Sequence, residues 1–298
     1  MIIMLIKKRI SVVYFLKTIK WDILAIVCYA IIAGTFDHYG VVKQVSIPLA
    51  VTAFAGTILS LLLAFRTSQS YERWWEARVV WGAIVNDSRT LIRQVKQFMP
   101  KNTEGLEVAK DFARRQSVWC FALSESLRKT GHCTKVTDYF SQTGDDSNNK
   151  PNLILDHHAD KLAIAAEKFD LNPNKQVQID STIARLCDAM GKCERIKNTV
   201  FPRAYSLLIH FLIYVLMTML PFGLEDQSKF IEISLTIVVP SLFIAIEQTA
   251  ILMQDPFENR PTDTPMTALS KSIENTLMEM VGEPPVNVIE PPVSYYIM

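Results

Sequence analysis

Four long stretches nearly free of charge stand out along the chain, each close to the roughly 20 apolar residues that a helix needs to cross a bilayer core of about 30 Å. The first runs from Trp21 to about Tyr39 around an uncharged centre, Ile23 to Phe36, and carries aromatic residues at both edges, where headgroups favour them. Val45 to Phe65 is cleaner, with no ionisable residue. Phe201 to Pro221 is interrupted only by Arg203 near its start and by His210, and Pro202 suits a first helical turn. Ile231 to Met253 carries Glu232 at one end, Glu247 late and Pro240 in the middle, which predicts a kink. Four transmembrane helices are expected.

The second stretch does not stop at the membrane surface. From Leu49 to Phe98 there is no proline and the only glycines are Gly56 and Gly82, so one helix of 50 residues is predicted. At 1.5 Å per residue it would be about 75 Å long. Beyond Phe65 the pattern turns amphipathic, with Trp74, Trp75, Val79, Ile84 and Leu91 set against Arg73, Glu76, Arg78, Asp87 and Arg93. The tryptophan pair reads either as an interfacial anchor or as packing in a helical bundle. Pro100 and Asn102 end this helix and Thr103 opens another, from about Glu104 to Lys129, which Gly131 stops. Ser141 to Pro151 has a loop's composition. Helices follow over about Asn152 to Phe169 and Val177 to Lys197, separated by Leu171-Asn172-Pro173-Asn174. The tail from Gln254 holds seven prolines up to Pro292 and is expected to lie extended along the polar helices, pinned by Phe257 and a helix over Met266 to Met280.

Basic residues give the sidedness. Of 31 Lys and Arg, 21 fall between Arg66 and Val200, and Lys7, Lys8, Arg9, Lys17 and Lys20 cluster before the first span; the two short connections offer only Lys43 and Lys229. Both termini and the middle segment are therefore expected in the cytoplasm. The apolar run after the basic N-terminus is broken by Lys17, Lys20 and Asp22, so the first span is read as retained rather than as a cleaved signal. The expected organisation is residues 1–65 with spans one and two, 66–200 as a cytoplasmic helical domain, 201–253 with spans three and four, and 254–298 as a cytoplasmic tail.

Composition changes little in this picture. Apolar residues make up 49% and charged ones 20%, and 31 basic against 30 acidic residues leave no basic field for nucleic acid. The five cysteines form no CxxC pair and read as reduced, packed thiols. Phosphate-loop, dinucleotide, HExxH and GxSxG strings are absent, so an enzyme reading starts behind and no cofactor or metal is expected. The best alternative is a membrane-anchored helical scaffold or enzyme whose cytoplasmic ligand or metal site uses His157, His158 and Asp160. Adjacent histidines on a helix point about 100° apart, which works against joint ligation. Within the spans, Glu247 reads chiefly as a residue that snorkels or caps, and His210 as a neutral imidazole bonded to a neighbouring helix.

The run FRTSQSYERWWEARVVWG, Phe65 to Gly82, followed by Asn86 and Arg89, resembles the signature of the bacterial branch of the bestrophin family. Gly191-Lys192-Cys193-Glu194-Arg195-Ile196, Leu220-Pro221-Phe222 and Asp255-Pro256-Phe257 are similar in order and spacing. The resemblance implies an all-α homopentamer around one central pore, set among membrane lipids, that passes monovalent ions, with cations such as sodium favoured over anions. It implies a neck at Thr57, Leu61 and Phe65 on the second span, with Thr57 departing from the bulky apolar type of the outer ring. A further cytoplasmic constriction is expected at the Pro173-Asn174-Lys175 turn. Animal members hold calcium by acidic residues after Asp-Pro-Phe, and here Gln254, Arg260 and a thin acidity make such a clasp a poor fit. The neck residues lie at i, i+4 and i+8, a gently drifting stripe that faces either a pore axis or lipid.

Overall fold

The computed structural model describes residues 17–38, 47–145, 147–199, 201–224 and 229–287. Among these the chain forms nine helices and no strand: α1 Lys20–His38, α2 Leu49–Phe98, α3 Thr103–Arg128, α4 Thr134–Thr143, α5 Lys150–Lys168, α6 Pro173–Asn198, α7 Arg203–Gly223, α8 Lys229–Gln254 and α9 Met266–Met280. The basic cluster Lys7, Lys8 and Arg9, Tyr39, Lys43, and the prolines at 291 and 292 lie outside the described residues. Two compact units divide the chain, one built from 9–73 and 200–254, the other from 74–199 and 255–298, and α2 contributes to both.

In the first, the span unit, Leu59 and Leu63 of α2 pack with Ile26 of α1, Ile209, Ile213 and Leu216 of α7, and Ile244 of α8. Three helices among the described residues are long and apolar enough to cross a membrane: α2, α7, and α8 over Phe230–Gln254. The first expected span folds as α1, 19 residues long, and is not among these three. Helix α8 continues through Pro240, whose ring nitrogen cannot donate to the Thr236 carbonyl.

The second, bundle unit is organised around α3, against which α4, α5, α6 and α9 pack. Its core holds Trp81, Ile84 and Leu91 of α2, Phe112, Trp119 and Leu123 of α3, and Phe257, Ile273 and Leu277 of the tail. Asn102 caps α3 by accepting from the Gly105 amide at 2.8 Å. A Cβ at Gly105 would stand 2.0 Å from the Pro100 carbonyl oxygen, so this turn closes only with glycine. The helix ends where expected but by another residue: Lys129, at φ 56°, takes the left-handed cap in place of Gly131, and its amide donates back to Glu125 and Ser126. Helix α4 replaces part of the expected loop, because Val136 and Phe140, four apart, bury one face of it.

The tail does lie along this unit. Phe257 is fully buried, the Trp74 indole donates to the Thr262 carbonyl at 2.8 Å, and Arg128 donates to Thr267 at 2.6 Å. Lys135 pairs with Glu274, and Arg114 with Glu283 at 2.6 Å. The tryptophan pair therefore splits, Trp74 packing and Trp75 staying exposed. All five cysteines are free, but Cys28 and Cys187 are exposed, against the expectation that all are packed; burial pushes the Cys120 and Cys193 thiols up to about 12.

Candidate functional site

Leucine, alanine and phenylalanine without an intervening charge let α2 run unbroken from Leu49 to Phe65, and its two sides then diverge. One side meets the rest of the span unit through Thr52, Leu59 and Leu63, all buried. The other carries Thr57, Leu61 and Phe65, with Leu61 67% and Phe65 56% exposed. The three expected neck residues thus share one uncovered face of the single chain, the face that lipid or another copy of the chain meets. The Thr57 hydroxyl donates to the Ala53 carbonyl at 2.9 Å, which occupies its proton within the helix. Ser68 and Glu72 continue the stripe at the next two turns. Ser68 donates to Glu72 at 3.5 Å and Gln69 donates to it at 3.4 Å. Ser68 stands seven residues after Leu61 and Glu72 seven after Phe65, a spacing that is present in the sequence.

Directly after Phe65 the helix turns a charge inwards. The Arg66 side chain is 2% exposed, and its Nη1 donates to Oε1 of Glu247, itself 1% exposed, at 2.7 Å. The other carboxylate oxygen of Glu247 lies 2.9 Å from Nδ1 of His210. Glu247 neither snorkels nor caps; it is consumed by a buried pair, a contact across 181 residues that no local pattern announces. The expected bond from His210 to a neighbouring helix is present. The Tyr205 hydroxyl donates to the Leu62 carbonyl at 2.9 Å, its ring lies 6.1 Å from that of Phe65, and the Phe201 ring lies 5.2 Å from the Arg66 guanidinium carbon. Both ends of the turn from Leu62 to Arg66 are therefore fixed by neighbouring helices.

The other expected sites assemble differently. Asn174 and Lys175 are exposed, but they form the first turn of α6 rather than a free turn, because Pro173 starts the helix and the Asn172 side chain accepts from the Asn174 amide at 2.9 Å. The Lys175 ammonium stands 5.7 Å from the Phe98 ring. His157 and His158 part company. His157 bonds the Tyr139 hydroxyl at 2.7 Å and Asp145 at 3.1 Å, whereas His158 is fully buried, 5.1 Å from the Phe112 ring. Burial, with Arg115 nearby, holds the His158 pKa well below its ordinary value. Among the described residues no group of three or more His, Cys, Asp or Glu could hold a metal, so the set His157, His158 and Asp160 does not converge as the scaffold or enzyme alternative needs.

After Asp255 the carboxylates are turned on an internal cation. Lys197 donates to Asp255 at 2.7 Å and to Glu258 at 2.6 Å. Burial opposes its charge, but those hydrogen bonds outweigh burial and raise its pKa. Asp263 is pushed up to about 6, chiefly by burial. An acid with a folded pKa above its unfolded value destabilises the fold as pH rises between the two. Asp263→Asn is accordingly expected to raise the melting temperature at about pH 8 and to leave it nearly unchanged at about pH 4, where the native carboxyl is already protonated. A melting temperature unmoved at the higher pH would show that Asp263 carries no such penalty.

Comparison with known proteins agrees with the signature. The profile described as Bacterial/Fungal Bestrophin protein matches residues 4–279. The voltage-dependent anion channel-forming protein YneE of Escherichia coli (strain K12) is 28% identical over 253 residues, 83% of this chain and 80% of the relative. The voltage-dependent anion channel-forming protein RSc3414 of Ralstonia nicotianae is 27% identical over 80% of each chain. The crystal structure of a bacterial bestrophin homologue from Klebsiella pneumoniae superposes with a TM-score of 0.80 at 25% identity, over 90% of this chain and 100% of that one. The names of the first two specify anions, which conflicts with the cation preference expected above. That preference rested on no residue of this chain and is withdrawn.

Proposed function

The chain belongs to the bacterial and fungal bestrophin family, a family of membrane ion channels rather than enzymes, and from that premise we propose a homopentamer that passively conducts monovalent ions across a bacterial inner membrane. The observation that carries the reading is the uncovered stripe Thr57, Leu61 and Phe65, ending against a buried Arg66. A helix that served only as an anchor has no use for 50 residues that run on past its uncharged part. Placed around an axis, Leu61 and Phe65 form stacked apolar collars that give an ion no substitute for its hydration shell and gate it by dewetting. The stripe holds no charge down to Phe65, so the proposal covers monovalent ions and takes no sign from the neck.

In this reading α1 supplies a fourth crossing beside α2, α7 and α8, both termini and residues 66–200 are cytoplasmic, and the 254–298 tail belongs to the cytoplasmic part. Asn174 and Lys175 supply a second, cytoplasmic narrowing. Lipid surrounds the outer faces of the spans. The reading requires closure, since a single chain leaves Phe54, Leu61 and Phe65 more than half exposed on one helix. Light scattering of the purified protein in detergent is expected to give five chain masses. A stable monomer would remove the pore, because the stripe would then face only lipid.

A further inference from the structure

The turn that bears Phe65 is held by charge within apolar surroundings. A buried ion pair contributes little net stability, because desolvation offsets most of its Coulomb attraction, and ionisable groups at membrane depth generally serve function. The Arg66–Glu247 pair sits one residue from the inner collar, and its guanidinium Nε is buried with no hydrogen-bond partner. With the Tyr205 hydroxyl on the Leu62 carbonyl, it fixes the rotation of α2 about its own axis at Phe65.

His210 of α7 adds an imidazole whose Nδ1 lies 2.9 Å from the free oxygen of Glu247. It is 47% exposed and faces four helices' worth of polar groups: Glu247 and Gln248 of α8, Asp22 of α1, Tyr214 on its own helix, and Arg66 of α2 across the shared carboxylate. Asp22, His210, Tyr214, Glu247 and Gln248 line a cavity of about 40 Å³, enough for a water and hence for proton exchange.

Resting on the channel reading above, we propose that Arg66 and Glu247 are positioning residues for the Phe65 collar and that His210 makes their hold sensitive to protons. With His210 neutral, Glu247 belongs to Arg66 and the collar is held. When His210 takes a proton, the carboxylate is shared between two cations, Asp22 stabilises the imidazolium, and Arg66 loses part of its anchor. The turn from Leu62 to Arg66 then shifts and the collar widens. Nothing but a proton is transferred.

The test uses the full chain in liposomes at about pH 7.5 and about pH 5.5, values that bracket the ordinary imidazole range. The parent is expected to conduct about tenfold more at the lower pH, within the usual span of coupling between sites. His210→Gln keeps an amide donor for Glu247 but cannot titrate, and is expected to flatten this response. Glu247→Gln is expected to conduct at the higher level at both pH values. A second readout does not depend on current: the rate at which a water-soluble thiol reagent labels Leu61→Cys, with Cys28, Cys133 and Cys187 replaced by Ser. Labelling is expected to quicken about tenfold on acidification and to lose that dependence with His210→Gln. A pH response, in current or labelling, that survives His210→Gln overturns the proposal. Liposomes that carry no current while labelling still follows pH through His210 would instead overturn the channel reading and keep the latch.

Discussion

Replacing Leu61 and Phe65 together by Ala is expected to raise single-channel conductance about tenfold, with little change in assembly. A tenfold rise corresponds to removing about 1.4 kcal/mol from the barrier to permeation. Both side chains present most of their surface outside the single chain, 67% and 56% exposed, so their loss leaves the packing around Leu59 and Leu63 intact. In the proposed ring the substitutions change the width and wetting of the collar. Thr57 stays, its hydroxyl bonded to the Ala53 carbonyl. Single-channel recordings identical to those of the parent would place the constriction elsewhere, with the first turn of α6 at Asn174 and Lys175 as the next position to alter.

Truncation after Arg260 is expected to abolish cooperative unfolding of the bundle unit. The deleted segment carries Met266, Ile273, Leu277, Met278 and Val281, each no more than 3% exposed. Burying one such side chain is worth roughly 1.5–3 kcal/mol, so five of them together rival the whole stability of a typical domain, about 5–15 kcal/mol. Phe257→Ala, which leaves the chain whole, isolates one anchor and is expected to cost about 3–5 kcal/mol. Thermal melting of the truncated protein in detergent that overlays the full chain would mean that the tail merely rests on α3.

How far the sequence discloses this molecule depends on whether a feature is local. Helix α9 is legible to the residue, because Pro265 stands before it and Gly282 soon after it. Helix α2 is legible because nothing between Leu49 and Phe98 breaks it. The stripe Thr57, Leu61 and Phe65 follows from helical period, and its exposure in the single chain agrees with that period. Helix α4 escapes notice, since ten residues hold only two buried positions, Val136 and Phe140. The cap at Lys129 escapes for a different reason: a left-handed lysine has no compositional mark, and Gly131 supplies a decoy. Helix α1 is legible from the uncharged run Ile23 to Phe36 at its centre. The partnership of Arg66 with Glu247 joins positions 181 apart and becomes visible only when α2 and α8 are packed. The same holds for Lys197, whose bonds to Asp255 and Glu258 occupy carboxylates that sequence alone leaves free for a cation.

Current across a bilayer tests most directly whether this chain forms a passive ion pore through the Thr57, Leu61 and Phe65 stripe. Purified full-length protein, reconstituted in liposomes under asymmetric salt, is expected to carry current with a reversal potential displaced from zero, its sign identifying the permeant ion. The same current is expected to grow in the Leu61→Ala, Phe65→Ala double variant. A correctly assembled ring that leaves vesicles no more conductive than protein-free ones would contradict the account.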